Sequence, residues 1–184
     1  MKRLGVLVLP LMLGACQLAS INDNPQSPFY PPPVGSKLTL KKDIQIPPDN
    51  AGVMLQGGQI MSNSGVNQYQ PNCRFELNSV SPTEQSVKAD VFTITEVKTN
   101  SYQVMAPSSG FVKVGLNMAA TLSMFNYYTL MRLSSTNQPQ VRSLTCQQWG
   151  DPAFGKPVSI DQMRMTLGDY FDLELPAGTP GAKK

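Results

Sequence analysis

Apolar and polar residues alternate with a period of two along much of the chain, the pattern of strands that keep one face wet. Between Lys37 and Ile46, the apolar Leu38, Leu40, Ile44 and Ile46 alternate with Lys37, Thr39, Lys41, Asp43 and Gln45. Lys42 breaks the apolar row, which suits an edge strand or a bulge. Pro47-Pro48-Asp49-Asn50 then ends the strand in a turn. Val53-Met54-Leu55 and Ile60-Met61 flank Gln56-Gly57-Gly58-Gln59, where a glycine pair supplies the positive φ values of a tight hairpin. A phosphate cradle would need a strand-to-helix setting and a following Lys-Ser/Thr, and neither is present.

After the turn-rich interval 62–71, Cys73, Phe75 and Leu77 share one face of a strand, so Cys73 points inward. Ser81 to Glu84 is a turn. Asp90 to Lys98 is rich in β-branched residues, and with both faces apolar or β-branched it is the expected central strand. Residues 101–126 carry one charge, Lys113, but Asn117, Thr121, Ser123 and Asn126 interrupt the apolar positions, so a transmembrane helix is not expected. They read as a long loop or irregular hairpin feeding a strand from Tyr127 to Leu133. Met105, Met118, Met124 and Met131 suit either core packing or an adaptable binding surface. Val141 to Trp149 is again extended, with Leu144 and Cys146 on one face and Trp149 expected close to Cys146.

One helix is predicted, starting after Ser159. Ser159 with Gln162 makes a capping box, Val158 and Met163 are spaced for a hydrophobic staple, and Gly168 falls where a left-handed residue ends a helix. Ile160, Met163 and Leu167 form its apolar stripe. Two turns are marginal alone, so the stripe must dock on a sheet. Tyr170 to Leu175 is the last strand, and 176–184 reads as a disordered tail. The expected fold is mainly β: an antiparallel β-sandwich or partly open barrel of six to eight strands, with one short C-terminal helix closing an end.

The first residues follow another pattern. Lys2 and Arg3 precede an apolar run from Leu4 to Leu13, followed by Gly14, Ala15 and Cys16. A basic start, a short apolar segment and small residues at its end make a secretory signal peptide, too short to span a bilayer. Leu13-Gly14-Ala15-Cys16 resembles a bacterial lipobox. That resemblance implies cleavage between Ala15 and Cys16, acylation of Cys16, and anchorage in a membrane. The organisation is then signal peptide 1–15, lipidated N-terminus and proline-rich tether 16–36, one β-rich domain 37–175, and tail 176–184. Pro31-Pro32-Pro33 favours polyproline II at about 3.1 Å per residue, a semi-rigid spacer. Phe29-Tyr30 is either a docking motif or packs on the domain edge.

Cleavage changes the charge balance. The whole chain has 15 basic and 12 acidic residues, a net of +3. Lys2 and Arg3 leave with the signal, so the mature chain is nearly neutral and lacks the basic stripe of a nucleic-acid binder. With Cys16 assigned to lipid, an exported chain retains one pair, Cys73 and Cys146, which suggests a disulfide; two separately buried thiols are the other reading.

The chain has no histidine. Ser-His-Asp and Cys-His nucleophile systems, histidine zinc sites and imidazole bases are therefore excluded. Asp169 with Asp172, Asp161 near Arg164, and the strand residues Glu76 and Glu96 are explained by helix capping and solvation. Glycosidase chemistry needs two acids facing across a cleft, and no calcium loop of the EF-hand type occurs. No catalytic residue, metal ligand or cofactor site is assigned.

Asn67 to Cys73, Gln138-Pro139-Gln140-Val141, Leu144 to Gly150 and Leu167-Gly168-Asp169 resemble stretches of a group of uncharacterised proteobacterial outer-membrane lipoproteins, over most of 34–175. The resemblance implies a class and a compartment, with no activity to carry over. Gln17 in place of aspartate departs from the inner-membrane retention signal and implies the outer membrane, with the domain facing the periplasm. The expectation is a non-enzymatic, lipid-anchored envelope protein, a binding or assembly component whose partners are the membrane through Cys16 and other envelope proteins. The alternative is a carrier or hydrolase for cell-wall or lipid ligands, with an apolar pocket near 101–126.

Overall fold

The computed structural model describes residues 24–105 and 123–179. The strands are β1 (Lys37–Leu40), β2 (Ile44–Ile46), β3 (Gly52–Gln56), β4 (Gln59–Met61), β5 (Asn72–Leu77), β6 (Gln85–Val87), β7 (Asp90–Met105), β8 (Ser123–Ser134), β9 (Val141–Gly150) and β10 (Phe171–Glu174). The helix is α1 (Ile160–Leu167), between β9 and β10. Eight strands form one antiparallel sheet in the order β10-β1-β7-β8-β9-β5-β3-β4, and β2 pairs with β6 in a second, small sheet. The large sheet curls into a half-barrel, so the partly open barrel is the form adopted. The described residues hold ten strands rather than six to eight.

The core lies on the inner face of the curl. Leu38 and Leu40, Phe92 and Ile94, Met131 and Leu133, Leu144, Phe75 and Leu55 are buried there. Phe75 is the hub, with its ring 5.1 Å from Phe171 and 6.0 Å from Phe92. Helix α1 closes this face: Ile160, Met163 and Leu167 are buried as the stripe predicts, and Val158 with Met163 forms the buried staple. The capping box is present in both directions. The Gln162 N–H donates to Ser159 Oγ at 3.3 Å, and the Ser159 N–H donates to Gln162 Oε1 at 2.9 Å.

Four expectations need correction. First, the stretch 37–46 is two strands in two sheets, because the chain bends at residues 41–43. Asp43 fixes the bend by accepting from the Ala89 N–H (2.9 Å) and from Lys88 Nζ (2.8 Å), while Lys42 pairs with Asp169 at 3.8 Å. Second, the candidate central strand β7 is covered on one face only: Val91 is 48% exposed opposite the buried Phe92 and Ile94. A bulge between Ile94 and Glu96 then shifts the alternation by one residue, so that Val97 and not Glu96 faces inward opposite Met131.

Third, β7 and β8 extend further than the pattern suggests. Residues 101–105 and 123–126, expected in a long loop or irregular hairpin, are the hairpin, paired as regular strand from Ser101↔Tyr127 to Met105↔Ser123. The intervening 106–122, with Met118 and Lys113, lies outside the described residues. Fourth, residues 24–36 of the expected tether lie against the domain. Ser27, Pro32 and Ser36 are buried, Tyr30 packs on the core, and Phe29 remains exposed. Backbone hydrogen bonds of Gly35 and Ser36 with Ile94 prolong the β1 ladder. In the tail, Pro176 to Thr179 forms a turn, and residues 180–184 lie outside the described residues.

Candidate functional site

Cys73 and Cys146 are directly opposite each other on β5 and β9, and they form a disulfide with Cα atoms 4.0 Å apart. Both are fully buried on the inner face. Successive strand residues alternate between faces, so their neighbours Asn72 and Gln147 stand on the outer face, as does Trp149. The expected contact between Trp149 and the bridge is therefore absent: an offset of three residues puts them on opposite sides of β9. Trp149 instead meets Tyr69 edge-on at 5.6 Å, and its backbone N–H donates to Gln68 O at 2.7 Å.

A row of neutral polar side chains crosses four strands on that outer face. Asn126 Nδ2 on β8 donates to Tyr102 Oη on β7 (3.0 Å) and to Gln147 Oε1 on β9 (2.9 Å). Gln147 Nε2 donates to Asn72 Oδ1 on β5 (3.3 Å), and Asn72 Nδ2 donates to Gln70 O (3.0 Å). Asn72 and Asn126 are fully buried. Such groups are tolerated inside because cross-strand partners replace water, so Asn126 does not interrupt the strand. Asn126 Oδ1 alone is buried without a partner among the described residues, at a cost of about 1–3 kcal/mol. Around the row stand Tyr102, whose ring is 5.9 Å from Tyr128, and the Tyr69–Trp149 pair. Tyr102 is 53% and Tyr69 55% exposed.

The opposite face of the same ribbon carries small polar pairs, Thr99 with Thr129 (3.2 Å) and Gln103 with Ser123 (3.0 Å). The loop after β9 lies over Tyr127, whose hydroxyl donates to Asp151 O at 3.3 Å. Gly155 is required there, because a Cβ on it would fall 2.1 Å from the Tyr127 ring. The buried amides hold the four strands together, and what they leave open to a partner is the exposed faces of Tyr69 and Tyr102.

Of the carboxylates named from sequence, four sit beside cations, and Asp172 stands on β10 opposite Thr39. Asp161 is 3.3 Å from Arg164, Glu76 is 3.0 Å from Arg74, Glu96 is 2.6 Å from Lys98, and Asp169 holds Lys42. Lys98 holds the Glu96 carboxyl below its usual range, chiefly through its hydrogen bond. The sequence reading missed Asp90. Its carboxylate accepts from Ser135 Oγ (2.6 Å), the Val91 N–H (2.8 Å), Asn137 Nδ2 (3.2 Å) and Gln138 Nε2 (3.3 Å). These bonds, led by Ser135, hold Asp90 below the usual aspartate range against the opposing effect of burial. Ser-x-Asn-Gln after a strand is the only local signal for such an acceptor, and it does not name the partner.

An open groove of about 320 Å³ runs between the β3–β4 turn and α1, lined by Gln56, Gly57, Gln70, Pro71, Gln162, Met165 and Thr166. Two of its three side-chain amides are engaged already: Gln56 bonds Asn67 in both directions, and Gln162 caps α1. None of its lining residues belongs to 101–126. Met131 is core, and Met124 is half-buried on the outer face. Among the described residues, no cluster of three metal-binding side chains occurs, and no helix is long and apolar enough to cross a membrane. Ala15 and Cys16 lie outside the described residues. Comparison with protein families, with curated proteins and with solved structures finds no match to this chain.

Proposed function

We propose that this chain is a non-enzymatic envelope lipoprotein, anchored to the outer membrane through acylated Cys16, whose β-rich domain binds other envelope proteins in the periplasm. The observation that carries the reading is the buried Cys73–Cys146 bridge in a chain whose N-terminus ends its apolar run in Leu-Gly-Ala-Cys. A structural disulfide belongs to an oxidising compartment, which is where a cleaved and lipidated chain resides. Recognition rather than turnover is supported by the exposed rings of Tyr69 and Tyr102, which stand beside a buried row of amides on β5, β8 and β9. The carrier or hydrolase reading draws no support from 101–105 and 123–126, which are paired strands.

Mass spectrometry of the protein purified from its own membranes tests the proposal. The expected N-terminal peptide begins at Cys16 and carries acyl chains, and a globomycin-type inhibitor makes an unprocessed precursor accumulate. Survival of Met1 in the mature protein, or an unmodified Cys16, overturns it.

A further inference from the structure

The two outer edges of the large sheet are blunted. β4 has three residues, and β10 has four, with Leu173 O accepting from Arg164 Nε (3.2 Å) and Nη2 (3.1 Å). A third edge is not. β1 covers β7 from Asp90 to Thr93, and Ser36 and Gly35 reach Ile94, while β8 pairs with β7 as far as Met105. From Thr95 onward no described strand pairs with the other side of β7. Lys98 to Gln103 are all exposed, so neither face is covered there. The last charges are Glu96 and Lys98, which pair with each other, and Thr99 to Met105 contains no charge, proline or bulge. Folded proteins blunt exposed edges with those same devices, and a bare one is a template for strand pairing.

We infer that this edge pairs with the same edge of a second copy, antiparallel, about a twofold axis near Asn100. The backbone row of donors and acceptors calls for another extended strand, and the pattern of charges fits the strand itself. With Asn100 opposite Asn100 of the second copy, Lys98 faces Tyr102 and Glu96 faces Val104. No like charges meet, and each Lys98 ammonium comes within reach of a phenol ring. An isologous contact of this kind closes as a dimer. Eleven residues, Thr95 to Met105, give a ladder of roughly 37 Å at about 3.4 Å per residue. The inference does not need the lipid anchor, although two copies held in one bilayer would meet at raised effective concentration.

The test uses the full chain purified from membranes in mild detergent, with single Asn100→Cys and Val80→Cys variants under mild oxidation. Val80 is exposed and distant in sequence from the edge. Near-complete conversion of the Asn100→Cys variant to a covalent homodimer is expected, with Val80→Cys no higher than the unmodified protein. Crosslinking of the unmodified protein would report a free Cys16 thiol, and so bears on the lipid reading instead. Sedimentation velocity should show a dimer that Asn100→Lys converts to monomer, by setting two lysines opposite each other, with the far-ultraviolet circular dichroism spectrum of the folded chain unchanged. A protein monomeric at every concentration, no homodimer from Asn100→Cys, or a dimer that survives Asn100→Lys overturns the inference.

Discussion

Replacing Gly168 with alanine tests how α1 is held to the sheet. Gly168 ends the helix with φ +53° and ψ −133°, a conformation outside the left-handed helical region that its position suggests. Side chains are nearly excluded from that conformation, and the strain is about 1–3 kcal/mol. The second term is steric. A Cβ on Gly168 would lie 2.4 Å from the Gly58 Cα, and backbone cannot rotate away as a side chain can. The β3–β4 turn and the helix end would have to part, straining the 3.0 Å hydrogen bond from the Gly58 N–H to Thr166 O, worth about 1 kcal/mol. The sum is roughly 3 kcal/mol, and with a urea slope of about 2 kcal/mol/M the midpoint falls by about 1.5 M. Gly57→Ala is the control. Gly57 has φ +58° with nothing within 4 Å of an added Cβ, so its cost is conformational alone, about 1 kcal/mol. Both variants are measured by urea denaturation followed by circular dichroism. If Gly168→Ala costs no more than Gly57→Ala at unchanged slope, the close approach of helix and hairpin is wrong.

Asp90→Asn weakens the acceptor that gathers Ser135, Asn137 and Gln138 beside β7, and is expected to destabilise by about 1–3 kcal/mol near neutral pH. Asp90 has a depressed folded pKa, so its stabilisation is fully present above the ordinary aspartate value of about 4 and is lost as pH falls through the folded value. The gap between parent and variant should therefore narrow below about pH 4 in melting curves, and a gap that widens on acidification would refute the assignment. Replacing both Cys73 and Cys146 by alanine opens a closure of 73 residues. The chain-entropy model puts the loss at roughly 4 kcal/mol, less if the unfolded chain keeps structure. Two titratable thiols at Cys73 and Cys146 in the parent protein unfolded without reductant, or an unchanged urea midpoint in the variant, would count against the bridge.

What the sequence determined by itself is what short-range chemistry decides. The capping box at Ser159 and Gln162, the staple of Val158 and Met163, and the Gly57-Gly58 turn with φ +58° and +78° involve residues a few positions apart, so each signal and its partner are read together. The inward faces of Cys73 and Cys146 were legible too, because a period of two assigns a face without knowledge of the neighbouring strand. Which strands become neighbours was decided only in the tertiary structure. The break at Asp43 depends on the backbone at Ala89, the bulge after Ile94 on the register with Leu133 and Arg132, and the place of Asn126 inside a strand on Tyr102 and Gln147. A polar residue in an apolar run reads as an interruption until its cross-strand partner is known. For the same reason the bare edge of β7 was invisible in the alternation, which records the two faces of a strand and says nothing about its sides.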